Sequence, residues 1–254
     1  MTAAALSIGL FISMLASLEL GYRLGHAAAR RHEPAHSGLG SIEAAIFALL
    51  GLLLGFAFAG AMSRMDARRQ LIVREANAIG TAYLRLDLLP VSTQPALRSL
   101  FRAYLEARSQ AYQPGADLDA TDRSIAHAAD LQQQIWNRTV AIARDDATGT
   151  AARVVVPALN EMIDVTTART VALRTHLPTP ILALLLVVAL SSALVAGYAM
   201  ACRQRRSWLH VVLYAASIAV TVYVVLDLDD PRVGLIRLDA AEAIVKQIHD
   251  SIRP

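Results

Sequence analysis

The hydrophobic positions gather into four apolar blocks, residues 3–20, 42–62, 181–200 and 209–226, separated by polar stretches. Each is close to the roughly twenty residues that a helix rising 1.5 Å per residue needs to cross a hydrocarbon core of about 30 Å. The second block holds one ionisable residue, Glu43, at its start, and runs on without proline to Leu89. Beyond Met62, the residues Arg64, Asp66, Arg68, Arg69, Arg74 and Glu75 forbid burial in lipid, yet nothing there breaks a helix. The pattern predicts one helix that leaves the bilayer and continues into water, fixing a polar domain rigidly to a membrane domain.

The polar half of that helix carries Met65, Ile72, Ala76, Ile79, Tyr83 and Leu86 at three-, four- and seven-residue intervals, an apolar stripe that requires partner helices. Three partners follow. Pro90 ends the first helix, Ser92 or Thr93 can cap the next with Pro95 in its first turn, and Leu97, Leu100, Phe101, Tyr104 and Leu105 give its buried face. A third helix starts at Asp119 or Thr121 with Ile125, Ala128, Leu131, Ile135 and Ile142 on one side. A fourth shows Val155, Leu159, Met162, Thr166, Arg169 and Leu173, with Pro157 kinking its start.

These elements define an all-α integral membrane protein. Four transmembrane helices form two hairpins, with a central antiparallel four-helix polar domain between the second and third spans. The expected boundaries are 1–62 for the first hairpin (spans 3–22 and 42–62), 63–178 for the polar domain and 179–226 for the second hairpin (spans 181–200 and 208–226). Residues 227–254 form a tail with a short amphipathic helix, Ala241, Ile244, Val245, Ile248 and Ile252 on one face. No Lys or Arg precedes the first block, so it reads as a retained span and not a cleaved signal.

Composition agrees: 55% hydrophobic residues and a mean hydropathy of +0.43 exceed what a soluble domain of 254 residues carries. The net charge of +3 comes almost wholly from scattered arginines, Lys246 being the one lysine, which argues against a nucleic-acid partner. A single cysteine, Cys202, excludes an intramolecular disulfide and a cysteine metal cluster.

Candidate chemistry is sparse. His26, His32 and His36 sit in a polar stretch, 23–40, read as a solvated loop because their spacing across Pro34 fits no common ligand pattern. Asp227, Asp229 and Asp230 could hold a divalent cation, but Pro231 and Gly234 follow at once, and a helix stop with headgroup-level charges is the preferred reading. Glu75, Arg85 and Arg169 could meet inside the polar bundle, Glu75 and Arg85 lying off its apolar stripe and Arg169 on one, as a buried ion pair that sets helix register. Gly51, Gly55 and Ala59 recur every four residues and predict a close helix contact, within the chain or between protomers. Ser191 and Ser192 read as hydrogen-bonding to their own helix or a neighbour. No nucleophile elbow, P-loop or HExxH occurs, so no enzyme activity, cofactor or metal is expected.

The order of parts resembles the bacterial membrane proteins that carry a bestrophin-like domain of unknown function. The resemblance rests on RRQLIVREANAIGTAYLRLDLLP, LNEMIDVTTARTVALRTHLP, the RQRR hairpin loop and the terminal LDLDDPRVGLIRL. The residues that fit it are Arg69, Glu75, Asn77, Thr81, Tyr83, Arg85, Asn160, Arg169, Asp229, Pro231 and Gly234. What it implies is a homo-oligomer in the bacterial inner membrane, with an anion channel as the first functional reading and inorganic ions as the partners. The alternative is a non-enzymatic membrane scaffold or sensor whose polar domain binds a partner or ligand. Six arginines in the two short loops, Arg23, Arg30, Arg31, Arg203, Arg205 and Arg206, lean toward a polar domain outside the cytoplasm. The bestrophin resemblance implies the opposite side.

Overall fold

The computed structural model describes residues 3–30, 39–111, 118–202 and 207–229. Among them the chain is helical apart from short connections: α1 (Ala3–Arg30), α2 (Leu39–Leu84), α3 (Gln94–Ala111), α4 (Leu118–Asp145), α5 (Val156–Arg174), α6 (Thr179–Cys202) and α7 (Trp208–Asp229). A 3₁₀ turn, Arg85–Leu88, follows α2, and a π-helical turn, Ala151–Val155, leads into α5. As the hydropathy break predicts, α2 runs unbroken for 46 residues. The described residues divide into two compact units, one holding the chain up to Met65 and from His176 onward, the other Asp66–Thr175. Asp227, Leu228 and Asp229, expected in the tail, belong to α7; residues 230–254, with the amphipathic helix expected there, lie outside the described residues.

Four helices are long and apolar enough to cross a membrane, and their oily stretches are the four blocks of the sequence. In the first unit α1, the start of α2, α6 and α7 share a core built on Met14, Leu18, Leu50, Leu54, Leu185, Ala189, Ala193, Ala215 and Val222. Lipid offers helices no hydrophobic incentive to associate, so close backbone approach and polar contacts carry the packing. Here α1 and α6 supply both. A methyl group at Gly21 would stand 2.0 Å from the Leu194 carbonyl oxygen, and one at Gly197 would stand 2.0 Å from that of Leu18. Gly25, one turn further, would meet the Tyr198 carbonyl at 2.8 Å. The Ser17 hydroxyl donates to the Leu190 carbonyl at 2.8 Å across the same seam.

One expectation narrows and another changes. Nothing lies within 4 Å of a methyl group placed at Gly51 or Gly55, and Ala59 is exposed, so among the described residues this stripe has no partner helix in its own chain. Among the described residues, the glycines that bring helices together are Gly21, Gly25 and Gly197. The polar stretch after the first span is also not a loop from Arg23: α1 continues to Arg30, because RLGHAAAR is rich in alanine and holds no proline, and His26 stacks on Tyr22 at 6.0 Å one turn away. His32 and His36 lie outside the described residues. Ser192 behaves as expected, donating to the Ala189 carbonyl and pairing with the Tyr214 hydroxyl, each at 2.7 Å.

The second unit is closed by the predicted stripes. Ile72, Ala76, Ile79 and Leu86 from α2 and its 3₁₀ turn are buried, as are Leu97, Phe101, Tyr104 and Leu105 from α3, Leu131 and Ile135 from α4, and Val155, Leu159 and Met162 from the α5 segment. Helix α3 begins without the expected side-chain cap. Thr93 donates its hydroxyl to the Pro90 carbonyl at 2.7 Å, and the Gln94 amide donates to the Leu89 carbonyl at 2.9 Å.

Candidate functional site

Charged groups on buried helix faces build the first constellation. Glu75 is fully enclosed, and its two carboxylate oxygens accept one from the Arg108 guanidinium and the other from that of Arg169, both arginines at most 2% exposed. Three helices, α2, α3 and α5, are thereby joined through one carboxylate. The sequence reading paired Glu75 with Arg85 and Arg169; the structure replaces Arg85 by Arg108. Glu75 also lies on the buried stripe of α2, beside Ile72, Ala76 and Ile79, and not off it. Arg108, missed from sequence, stands four residues after Tyr104 and seven after Phe101, an ionisable group at an apolar position, which is the signal that could have found it.

Arg68 occupies a similar position, three residues after Met65 and four before Ile72. It is 2% exposed, and donates to the carbonyls of Ala172 at 3.1 Å and Thr175 at 2.7 Å. A cation at these last carbonyls satisfies orphan acceptors and complements the negative end of the α5 dipole.

The first unit has its own ion pair. Asp229 is buried, accepts from Arg64 Nε at 2.6 Å and from the Leu177 backbone N–H at 2.6 Å, and its carboxylate lies 3.8 Å from His176 Nδ1. Asp227 accepts from the Tyr223 hydroxyl at 3.1 Å. These acids are thus engaged by an arginine, a backbone amide and a phenol; Asp230, Pro231 and Gly234 lie outside the described residues. Among the described residues no three potential ligands cluster to hold a metal ion.

A third constellation opens to solvent. Arg74, Asn77, Thr81 and Arg85 lie three or four residues apart and so share one face of α2 and its 3₁₀ turn. With Ala78, Pro157, Ala158 and Glu161 they line a cavity of about 340 Å³. Pro157 shapes its far wall. Lacking an N–H, it cannot bond back to the preceding turn, and the chain there adopts a π turn whose Val156 N–H reaches the Ala151 carbonyl. The Val154 carbonyl then accepts from Arg85 Nη1 at 2.9 Å.

The remaining sequence candidates sit apart. Tyr83 packs edge-on against Phe101 and lies under the Arg98 guanidinium, 5.1 Å from its ring centre, with its hydroxyl accepting from Arg98 at 3.1 Å. Asn160 is exposed and donates to Asp164 on its own helix at 2.9 Å. Arg69 is exposed, 3.8 Å from Asp66.

Described residues that are helical apart from short connections, with four helices long and apolar enough to cross a membrane, define a multi-pass membrane protein. The chain belongs to the Bestrophin-like domain family, which it matches over residues 10–243. Its fold is similar to that of a bacterial bestrophin homologue from Klebsiella pneumoniae. One mutant crystal structure of that homologue has a TM-score of 0.68 at 14% identity, covering 97% of this chain and 98% of that one. A second crystal structure of it gives 0.67 at 14% identity over 97% and 99%. A crystal structure described as a membrane protein mutant gives 0.66 at 15% identity over 96% and 98%. No curated protein matches the sequence.

Proposed function

We propose that the chain forms a homo-oligomeric anion channel in the bacterial inner membrane. The observation that carries this reading is the unused face of α2 in the membrane unit. Leu50, Leu54, Ala57 and Ala61 are buried against the chain's own helices, whereas Gly51, Gly55 and Ala59 are exposed together with Leu52 and Phe56. Glycine in a helix costs about 1 kcal/mol relative to alanine unless packing recovers it, so paired glycines on a bare face are explained by a second protomer seated there. Family membership and the bestrophin fold support the same reading.

The test is ion flux from liposomes containing the purified protein. Chloride and nitrate efflux faster than potassium is the expected result; a folded preparation impermeable to all three contradicts it. A second reading, a non-enzymatic scaffold or sensor whose polar unit takes a ligand, is favoured by the solvent-open groove beside Arg85.

A further inference from the structure

We propose that the groove between α2 and the start of α5 binds a short-chain aliphatic carboxylate. Its volume, about 340 Å³, falls in the range of small-molecule sites. Its two ends differ in charge. At one end Arg74 is paired with Glu161 at 3.5 Å. At the other, Arg85 is half-buried and held by the Val154 carbonyl, a neutral acceptor, and no carboxylate of the described residues pairs with it. That single bond fixes the guanidinium without neutralising it and leaves the rest of its five-donor fork for a ligand. Thr81 and Asn77, one and two turns before Arg85, are exposed and make no side-chain hydrogen bond among the described residues, so a hydroxyl and an amide line the same groove as the cation.

The remaining lining decides the ligand class. Ala78, Pro157 and Ala158 give the groove an apolar surface between its polar ends. A carboxylate matches the planar fork of Arg85 and adds one negative charge to an arginine that lacks one. A short alkyl chain then covers the alanines and the proline. Phosphate brings further charge toward Glu161 and leaves the apolar surface wet; chloride leaves it equally uncovered.

The experiment is saturation-transfer NMR on the full-length protein in detergent with butyrate as the probe, at constant ionic strength. Saturable transfer to the butyrate methylene and methyl protons is expected, weakened about tenfold or more by Asn77→Asp, which sets a like charge against the carboxylate, and by Arg85→Gln, which removes the cation that pairs with it. Thr81→Val is expected to weaken it less, and Arg69→Gln, on exposed surface outside the groove, to leave it unchanged. Asn77 and Thr81 are exposed, so unchanged circular dichroism accompanies their variants even where Arg85→Gln disturbs the π turn. Absence of saturable transfer, equal transfer with Asn77→Asp and Thr81→Val, or displacement of butyrate by equimolar phosphate or chloride overturns the proposal. The inference does not depend on conduction: butyrate binding without ion flux leaves it standing and removes only the channel reading.

Discussion

The two units solve the same problem, closing a helical core, by opposite means. In the membrane unit the α1–α6 seam is made by absent side chains: Gly21, Gly25 and Gly197 let each helix touch the other's carbonyl oxygens. In the polar unit the closing elements are among the largest and most charged side chains available, with Glu75 held between Arg108 and Arg169 in a buried core. Solvent explains the difference. Between lipid-facing helices a buried side chain gains little over the same side chain in lipid, so close approach is the remaining source of attraction. In water, apolar stripes already drive association at about 25 cal/mol per Å² buried. The buried ions add register instead, because only one alignment of α2, α3 and α5 brings three charges together.

The largest effects are expected where this contrast is strongest. Gly197→Val places side-chain atoms inside the Leu18 carbonyl contact, and Gly21→Val does so at Leu194; neither backbone can yield without parting the helices. Both variants are expected to lose the monodisperse peak in size-exclusion chromatography, whereas Gly51→Val, which meets nothing among the described residues, keeps the protomer folded. If the α2 face is a protomer contact, Gly51→Val shifts the oligomer peak instead.

Next comes the polar unit. Glu75→Gln removes the carboxylate charge that pairs with two buried guanidiniums and is expected to cost about 3–5 kcal/mol, read as a lowered thermal midpoint. Arg169→Met leaves the Glu75–Arg108 pair in place and is expected to cost less than Glu75→Gln while lowering folded yield. Equal midpoints for the two variants and wild type would remove the register-setting role from the account.

The smallest effect is at the turn before α5. Asp146 accepts from the Thr148 hydroxyl at 2.6 Å and from the Ala151 N–H at 2.8 Å, and the Thr148 bond, then the Ala151 bond, hold its carboxyl below the ordinary 3.8. A depressed folded-state value contributes stability above the unfolded value and loses it as pH falls through the folded one. Asp146→Asn is therefore expected to narrow the stability difference between pH 6 and pH 3 in denaturant titrations; an unchanged difference shows that the turn is not held by this carboxylate.

Much of the architecture was legible because hydropathy and helical period act locally. The four spans, the unbroken α2 and the stripes of α2 to α5 all follow from residue spacing. What was not legible is which faces meet. Gly21 and Gly25 carry the same four-residue spacing as Gly51 and Gly55, but both lie beyond the apolar block 3–20, among polar residues where the spacing gives no sign of a membrane contact. Asn77, Thr81 and Arg85 were singled out by resemblance and share the groove, but their far wall depends on the π turn before Pro157, which no spacing rule reveals. Arg85 was expected in the buried cluster because its charge suited it; Arg108 took that place because it alone of α3's arginines sits on the buried face.

Imaging the purified protein in mild detergent tests the central claim most directly. A symmetric ring of protomers with an axial opening, contacting one another through the Gly51, Gly55 and Ala59 face of α2, is the result the channel account predicts. A monomer, or a dimer without a central opening, would contradict it.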